Sequence, residues 1–296
     1  MCKVFRCVIP SFLTFLDLFT ASLKKTTPTN PKMSGSGYDG HLVLSPEGRI
    51  FQVEYAMKAI EFTTTVIGIQ CKDGVVFAAE RQIMSKLHES DSVPARRIFN
   101  IDTHIGCALA GLLTDSRALV DYARGECTSF REQWDAPIPV DVLAKRIANY
   151  MFQHTIYNGA RPFGCAMILG GYNENTNKHE MWMCEPAGVC WRYKGVSLGK
   201  TKQAAKTELE KIDPKLGEIS VADGLKNAVK VVQAVRDENN SSKTFAIDLS
   251  FVGGENGKRH KYASEKLRKE CEEWATQQLD SDDESDSEED DEDEEM

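Results

Sequence analysis

The sequence predicts an α+β sandwich in which two antiparallel sheets stack face to face and a pair of helices covers each outer side. Three observations carry this. Hydrophobic periodicity switches between two and 3.6 residues in blocks rather than singly. The order is strands, two helices, strands, two helices and a final strand with a helix after it. Tight turns such as Lys72-Asp73-Gly74 and Glu185-Pro186-Ala187-Gly188 join neighbouring strands within a block. A doubly wound parallel sheet would alternate one strand with one helix, so the blocks favour a four-layer αββα arrangement.

The elements follow in order. Ser45-Pro46-Glu47-Gly48 reads as a turn, since proline fixes φ and glycine tolerates a positive φ. Behind it Ile50, Val53, Met57 and Ile60 form one apolar stripe, with Ala56 on the same face, which predicts a short helix. Val66–Cys71 and Val75–Glu80 are β-rich runs across Asp-Gly, a strong hairpin signal. A second hairpin is expected from Arg97–Ile101 and Ile105–Ala110. Leu119, Tyr122, Ala123, Cys127 and Phe130 then recur at helical spacing with Asp115 as the expected cap. Val140, Leu143, Ala144, Ile147 and Met151 mark the second helix. Strands return at Gly164–Leu169, Glu180–Cys184 and Val189–Tyr193. Two helices follow, one carrying Ala204, Ala205, Leu209 and Ile212, the other Leu225, Ala228, Val232 and Val235. A strand at Phe245–Val252 precedes a last helix with Leu267, Cys271 and Trp274 on one face.

The charge distribution separates three regions. The chain of 296 residues carries a net charge of −9. Residues 280–296 hold thirteen acidic side chains and no basic one, which leaves the rest of the chain at +4. Residues 1–32 contribute that same +4 through Lys3, Arg6, Lys24, Lys25 and Lys32 against Asp17, so the body from Met33 to Leu279 is neutral. A neutral body offers no field for nucleic acid. The apolar stretch Val8–Leu23 is interrupted by Pro10 and Asp17 and falls short of a membrane span. Residues 1–32 are therefore expected to be a leader without structure, residues 33–279 the folded domain and residues 280–296 a disordered acidic tail. The nine cysteines include no C-x-x-C pair. Those in apolar patterns, Cys71, Cys107 and Cys165, read as buried reduced thiols. No metal or cofactor constellation stands out.

The most specific segment is Gly37-Tyr38-Asp39 followed by Ser45-Pro46-Glu47-Gly48-Arg49-Ile50-Phe51-Gln52-Val53-Glu54-Tyr55-Ala56. It closely resembles the N-terminal segment of the alpha-type subunits of the 20S proteasome. The likeness continues through Arg161-Pro162-Phe163-Gly164, Glu185-Pro186-Ala187-Gly188 and Leu198-Gly199-Lys200, so it covers Met33 to about Leu279. Lys72-Asp73-Gly74-Val75-Val76-Phe77, Phe99-Asn100-Ile101-Asp102 and the acidic tail point to one alpha type within the family. The resemblance implies the αββα fold of N-terminal-nucleophile hydrolases, which the block order supports independently. It also implies a cytoplasmic and nuclear protein without cofactor. Its partners would be the other alpha subunits of a seven-membered ring, the beta rings, and a regulatory particle or other activator.

Catalytic beta subunits of that family use a threonine at the mature N-terminus, an aspartate and a lysine. The matching positions here are Thr64, Glu80 and Arg97. An internal threonine has an amide in place of the activating amine. Glutamate is one methylene too long, and guanidinium stays protonated. The expectation is therefore a non-catalytic subunit, with an active threonine hydrolase as the alternative and a free-standing acidic binding module as a third class. Gly195-Val196-Ser197-Leu198-Gly199-Lys200-Thr201 ends like a phosphate-binding loop but has three residues between its glycines where four are needed, so it reads as a strand-to-helix turn.

From the resemblance, Tyr38, Asp39, Pro46 and Tyr55 are the gate residues that line the ring centre. Arg97 is the basic residue expected to hold an activator's C-terminal carboxylate, a role its guanidinium suits. Ser281, Ser285 and Ser287 each have an acidic residue three positions on, at Glu284, Glu288 and Asp290, which suits an acidophilic kinase.

Overall fold

In the computed structural model the described residues are 42–82, 96–157, 159–212, 217–236, 245–254 and 257–293, with backbone alone over 282–293. Six helices and ten strands are formed among them: α1 (Phe51–Glu61), β1 (Val66–Gln70), β2 (Gly74–Gln82), β3 (Ile98–Asp102), β4 (Ile105–Gly111), α2 (Leu113–Trp134), α3 (Val140–Ile156), β5 (Cys165–Asn173), β6 (Lys178–Cys184), β7 (Cys190–Arg192), β8 (Gly195–Leu198), α4 (Lys202–Ile212), α5 (Val221–Ala234), β9 (Phe245–Gly253), β10 (His260–Tyr262) and α6 (Glu265–Asp293).

The strands make two five-stranded antiparallel sheets, ordered β10-β9-β2-β1-β8 and β3-β4-β5-β6-β7. Their inner faces meet in a layer of Val66, Val75, Phe77, Ile98, Ile168 and Met181, all fully buried. On the outer face of the second sheet Leu119, Ala123, Leu143, Ile147 and Met151 of α2 and α3 pack against Cys107, Leu109 and Met167. On the outer face of the first sheet lie α4, α5 and α6, through Ala205, Leu225, Val229, Val232 and Cys271 against Ile67, Ile69 and Val76. The αββα sandwich is the fold the block order predicts. The central strands read as near-continuous apolar runs because both faces of each sheet are covered.

Four details depart from the sequence reading. Two strands lie outside it: β8, short and running straight into a Gly-Lys-Thr turn, and β10, with only His260 buried. Asp115 is not a cap; Leu112 stands at the N-cap of α2 without a side-chain cap hydrogen bond, and Asp115 lies inside the first turn. The expected strand Val189–Tyr193 shortens to Cys190–Arg192. The acidic run after Asp280 is expected to lack regular structure, yet α6 continues to Asp293. Cys271 and Ala275 anchor that helix in the core, and propagation from a packed turn needs no new nucleus.

Candidate functional site

The site grows from the turn before α1. The amide of Gly48 donates to the Ser45 carbonyl at 2.8 Å, and Ser45 N donates to Arg49 O at 2.8 Å. The Ser45 hydroxyl then accepts from Arg49 N at 3.1 Å. Gly48 stands at φ 77°, the left-handed conformation that glycine adopts at little cost. Pro46 fixes the turn from an exposed position. Arg49 donates from Nε to Glu54 Oε1 at 2.7 Å and from Nη2 to Oε2, and its guanidinium covers the Phe51 ring at 5.0 Å. That two-point ion pair lowers the Glu54 pKa. Phe51 in turn stacks on Tyr55, centroids 6.4 Å apart. A rigid turn, an ion pair and a ring pair thus fix where the chain enters the helix.

Helix α1 closes one end of the sandwich. Ile60 is buried in the layer between the sheets, and Met57, Ile60 and Glu61 sit against Ala166, Pro186 and Leu198. The chain leaves the helix at Thr63, whose hydroxyl donates to Ile60 O at 2.7 Å and accepts from Gly111 N at 3.0 Å. The Thr63 carbonyl accepts from Lys200 N at 2.8 Å. Gly199 has φ 106°, and a Cβ there would come within 2.5 Å of the Thr64 carbonyl. The Gly195–Thr201 stretch is therefore an edge strand and a turn clamped on Thr63–Thr64, as its spacing predicts, and not a phosphate cradle.

Thr64 and Glu80 both line a hollow of about 90 Å³, together with Thr201, Lys200 and Arg236. Thr64 is an interior residue of the chain between α1 and β1, so its nitrogen is a peptide amide. Its Oγ1 is buried and meets no hydrogen-bond partner among the described residues. Thr65 Oγ1 pairs instead with Thr201 Oγ1 at 2.5 Å. Arg97 is not among the residues lining this hollow. Its Nη1 donates to the Gly111 carbonyl, and Gly111 N donates to Thr63, so the arginine joins the same end of the sandwich through one intervening residue. Burial pushes the Arg97 guanidinium below its ordinary pKa, a cost that a carboxylate partner would relieve.

Tyr38 and Asp39 lie outside the described residues. Pro46 and Tyr55 are brought onto one short turn-helix unit, and Tyr55 is half exposed there. Ser281 is exposed on α6 and donates to Gln278 O at 2.9 Å; Ser285 and Ser287 fall further along the same helix.

Sequence reasoning missed the residues that lock this end. Asp115 accepts from both terminal nitrogens of Arg161, at 2.6 and 2.8 Å, and from Gly164 N at 2.9 Å. Arg161-Pro162-Phe163-Gly164 entered the sequence reading only as part of the family likeness, and nothing in it pointed to Asp115. All seven described cysteines are free thiols, and all but Cys190 are buried. Burial pushes Cys71, Cys127 and Cys165 up to about 12. Among the described residues no group of His, Cys, Asp or Glu is placed to hold a metal ion, and no helix is long and apolar enough to cross a membrane.

Comparison with known proteins places these features. Residues 38–59 match the N-terminal signature family of the proteasome A subunits, and residues 60–249 match the proteasome subunit family. The chain is 40% identical over 251 residues to proteasome subunit alpha type-3 of Acanthamoeba castellanii, covering 84% of this chain and 97% of the relative. It is 42% identical over 255 residues to the probable proteasome subunit alpha type-7 of Saccharomyces cerevisiae, covering 84% and 86%. It is 38% identical over 258 residues to proteasome subunit alpha type-3 of Drosophila melanogaster, covering 85% and 98%. The turn, α1 and the sandwich behind it are the parts these matches span, and the chain belongs to the proteasome subunit family as an alpha-type member.

Proposed function

We propose that this chain is a non-catalytic member of the 20S alpha ring that helps to close the substrate gate and to dock activators. One observation supports the reading: Thr64 sits inside the chain, between α1 and β1, so its nitrogen is a peptide amide, and its buried hydroxyl makes no hydrogen bond among the described residues. Thr64 leads into β1 as an ordinary residue of the chain. The partners on this reading are the neighbouring alpha subunits, the beta ring, and a regulatory particle or other activator. The setting is the cytoplasm and nucleus.

The gate role falls to Tyr38, Asp39, Pro46 and Tyr55. Pro46 and Tyr55 support it by fixing the direction in which the preceding residues leave the domain. The docking role falls to Arg97, whose half-buried guanidinium suits a carboxylate better than open water. Ser281, Ser285 and Ser287 are the proposed phosphorylation sites, and the acidic tail around them is the proposed regulator of docking.

Native mass measurement of the endogenous protein tests the assignment. A ring subunit migrates in an assembly many times the 33.1 kDa of the chain. A stable species at the mass of the single chain would overturn it in favour of a free-standing binding module.

A further inference from the structure

Among the described residues, the outer edge of the first sheet is paired over only part of its length. β10 pairs with β9 at Val252, Phe251 and Ser250, and Ala263 N donates to Leu249 O at 3.0 Å. There the chain turns into α6. β9 itself continues through Asp248, Ile247, Ala246 and Phe245, paired on its inner side to β2 as far as Gln82. In an antiparallel strand the backbone groups alternate in direction. Leu249 faces outward toward Ala263, so Ile247 and Phe245 also present their N–H and C=O groups outward. Among the described residues no strand pairs with them. An edge of four residues is about 13 Å long, and an uncovered edge is a template for another strand.

This edge borders a cavity of about 820 Å³ whose described lining carries one more cation than anions. Arg81, Arg96 and Arg268 line it, against Asp248 and Glu265. Both acids already have partners: Asp248 pairs with Arg81 at 3.4 Å and Glu265 with Lys269 at 2.9 Å. Arg96 lies over the Tyr262 ring at 5.3 Å, which fixes its guanidinium at the rim. Arg268 pairs with Glu272 one turn along α6 at 3.7 Å.

We propose that this cavity is a docking site for an extended acidic peptide, which adds as a strand to the outer edge of β9 beyond the end of β10. The backbone bonds would come from Phe245 and Ile247. The acidic side chains on one face of the added strand would meet Arg96 and Arg268. Strand addition draws its affinity from the main chain and its selectivity from side-chain pockets. The excess of cations in the lining selects an acidic partner. Arg96 is the chain neighbour of Arg97, but Arg97 is not among the described residues lining this cavity, and the proposal does not depend on the activator reading.

The test uses the full chain and a fluorescein-labelled peptide of alternating glutamate and valine, with binding read by fluorescence anisotropy. Three comparisons accompany it: the same peptide N-methylated at alternate residues, a lysine-valine peptide, and inorganic polyphosphate as competitor. The proposal expects binding that weakens about tenfold in the N-methylated analogue facing β9, since methylation removes edge hydrogen bonds. It expects a loss of about fivefold in each of Arg96→Glu and Arg268→Glu. Equal binding of the methylated and unmodified peptides would overturn it, because the edge would not be used. So would binding of the lysine peptide as tightly as the glutamate one. Displacement by polyphosphate with no effect of methylation would show a site for free anions and end the strand proposal.

Discussion

Asp115, inside the first turn of α2, accepts both terminal nitrogens of Arg161 at 2.6 and 2.8 Å and the amide of Gly164 at 2.9 Å. One carboxylate thereby ties α2 to the loop entering β5. Asp115 is 8% exposed, so its charge is held in a protected place. Arg161 first, and the Gly164 amide after burial is counted, hold its pKa below the ordinary carboxylate value. A lowered carboxylate contributes stability above its unfolded pKa and loses it as pH falls through the folded one.

The first prediction follows. Asp115→Ala leaves the Gly164 amide and the guanidinium without their acceptor and destabilises by about 2 kcal/mol. In thermal unfolding at pH 7 that is a fall of roughly 4–8 °C for a domain of this size. The wild type loses this contribution only as pH falls below about 4, and Asp115→Asn flattens that part of the pH profile. An unchanged profile would mean the carboxylate is not held in this way.

The second prediction concerns His260. Its amide donates to Thr103 O at 2.8 Å, and its ring packs on Gly106, where a Cβ would meet it at 2.3 Å. Burial lowers its pKa to about 4 from the ordinary 6.5. The unfolded chain therefore takes up the proton first, so stability falls as pH drops from about 6.5 toward 4. His260→Gln should remove a decline of up to about 3 kcal/mol. Thermal melts across that window decide it, and an equal decline in the variant refutes it.

The layers and most elements were legible in the sequence, because a core helix or a buried strand carries its period in its residues. Ile67, Ile69 and Val76, or Leu143, Ile147 and Met151, could hardly be read otherwise. What was not legible depends on distant partners. Asp115 looks like a cap until Arg161 is brought to it from 46 positions away. β10 has a single buried residue and exists because β9 offers an edge. The helical tail owes its start to Cys271 and Ala275 rather than to its own acidic composition. At the candidate site one hollow brings Thr64 and Glu80 together, whereas Gly111, the residue that links Arg97 to Thr63, gave no signal in the sequence.

The third prediction addresses docking. Arg97→Glu replaces the donor to Gly111 O with a negative charge facing the incoming carboxylate. Activator-stimulated peptide hydrolysis by particles carrying it should fall at least about tenfold, while basal hydrolysis stays as in wild type. Arg97→Lys should recover part of the stimulation, since a point charge replaces a fork. Full stimulation in Arg97→Glu would remove the residue from the docking surface.

The fourth concerns the tail. Ser281, Ser285 and Ser287 lie in the last part of α6, at the negative end of its dipole. Each phosphate adds roughly −1.5 to −2 charges there. Phosphorylation by an acidophilic kinase should reduce helicity of residues 280–293 in circular dichroism and leave the melting temperature of the domain in place. It should also shift activator affinity at low salt more than at high salt, because the Debye length is about 8 Å at physiological ionic strength. Identical binding curves at both salts for intact and phosphorylated particles would end the regulatory role.

The central claim is that the chain supports proteolysis without performing it, and Thr64 is where that claim is exposed. Its hydroxyl is buried and meets no partner among the described residues, so Thr64→Ala removes no hydrogen bond seen here and should not destabilise the fold. The decisive measurement is peptide turnover by assembled particles in which this subunit carries Thr64→Ala, with the melting temperature checked alongside. A non-catalytic role predicts turnover equal to wild type for every class of fluorogenic peptide. Loss of one class of peptide cleavage from a particle that melts normally would contradict it and make the chain a working threonine hydrolase.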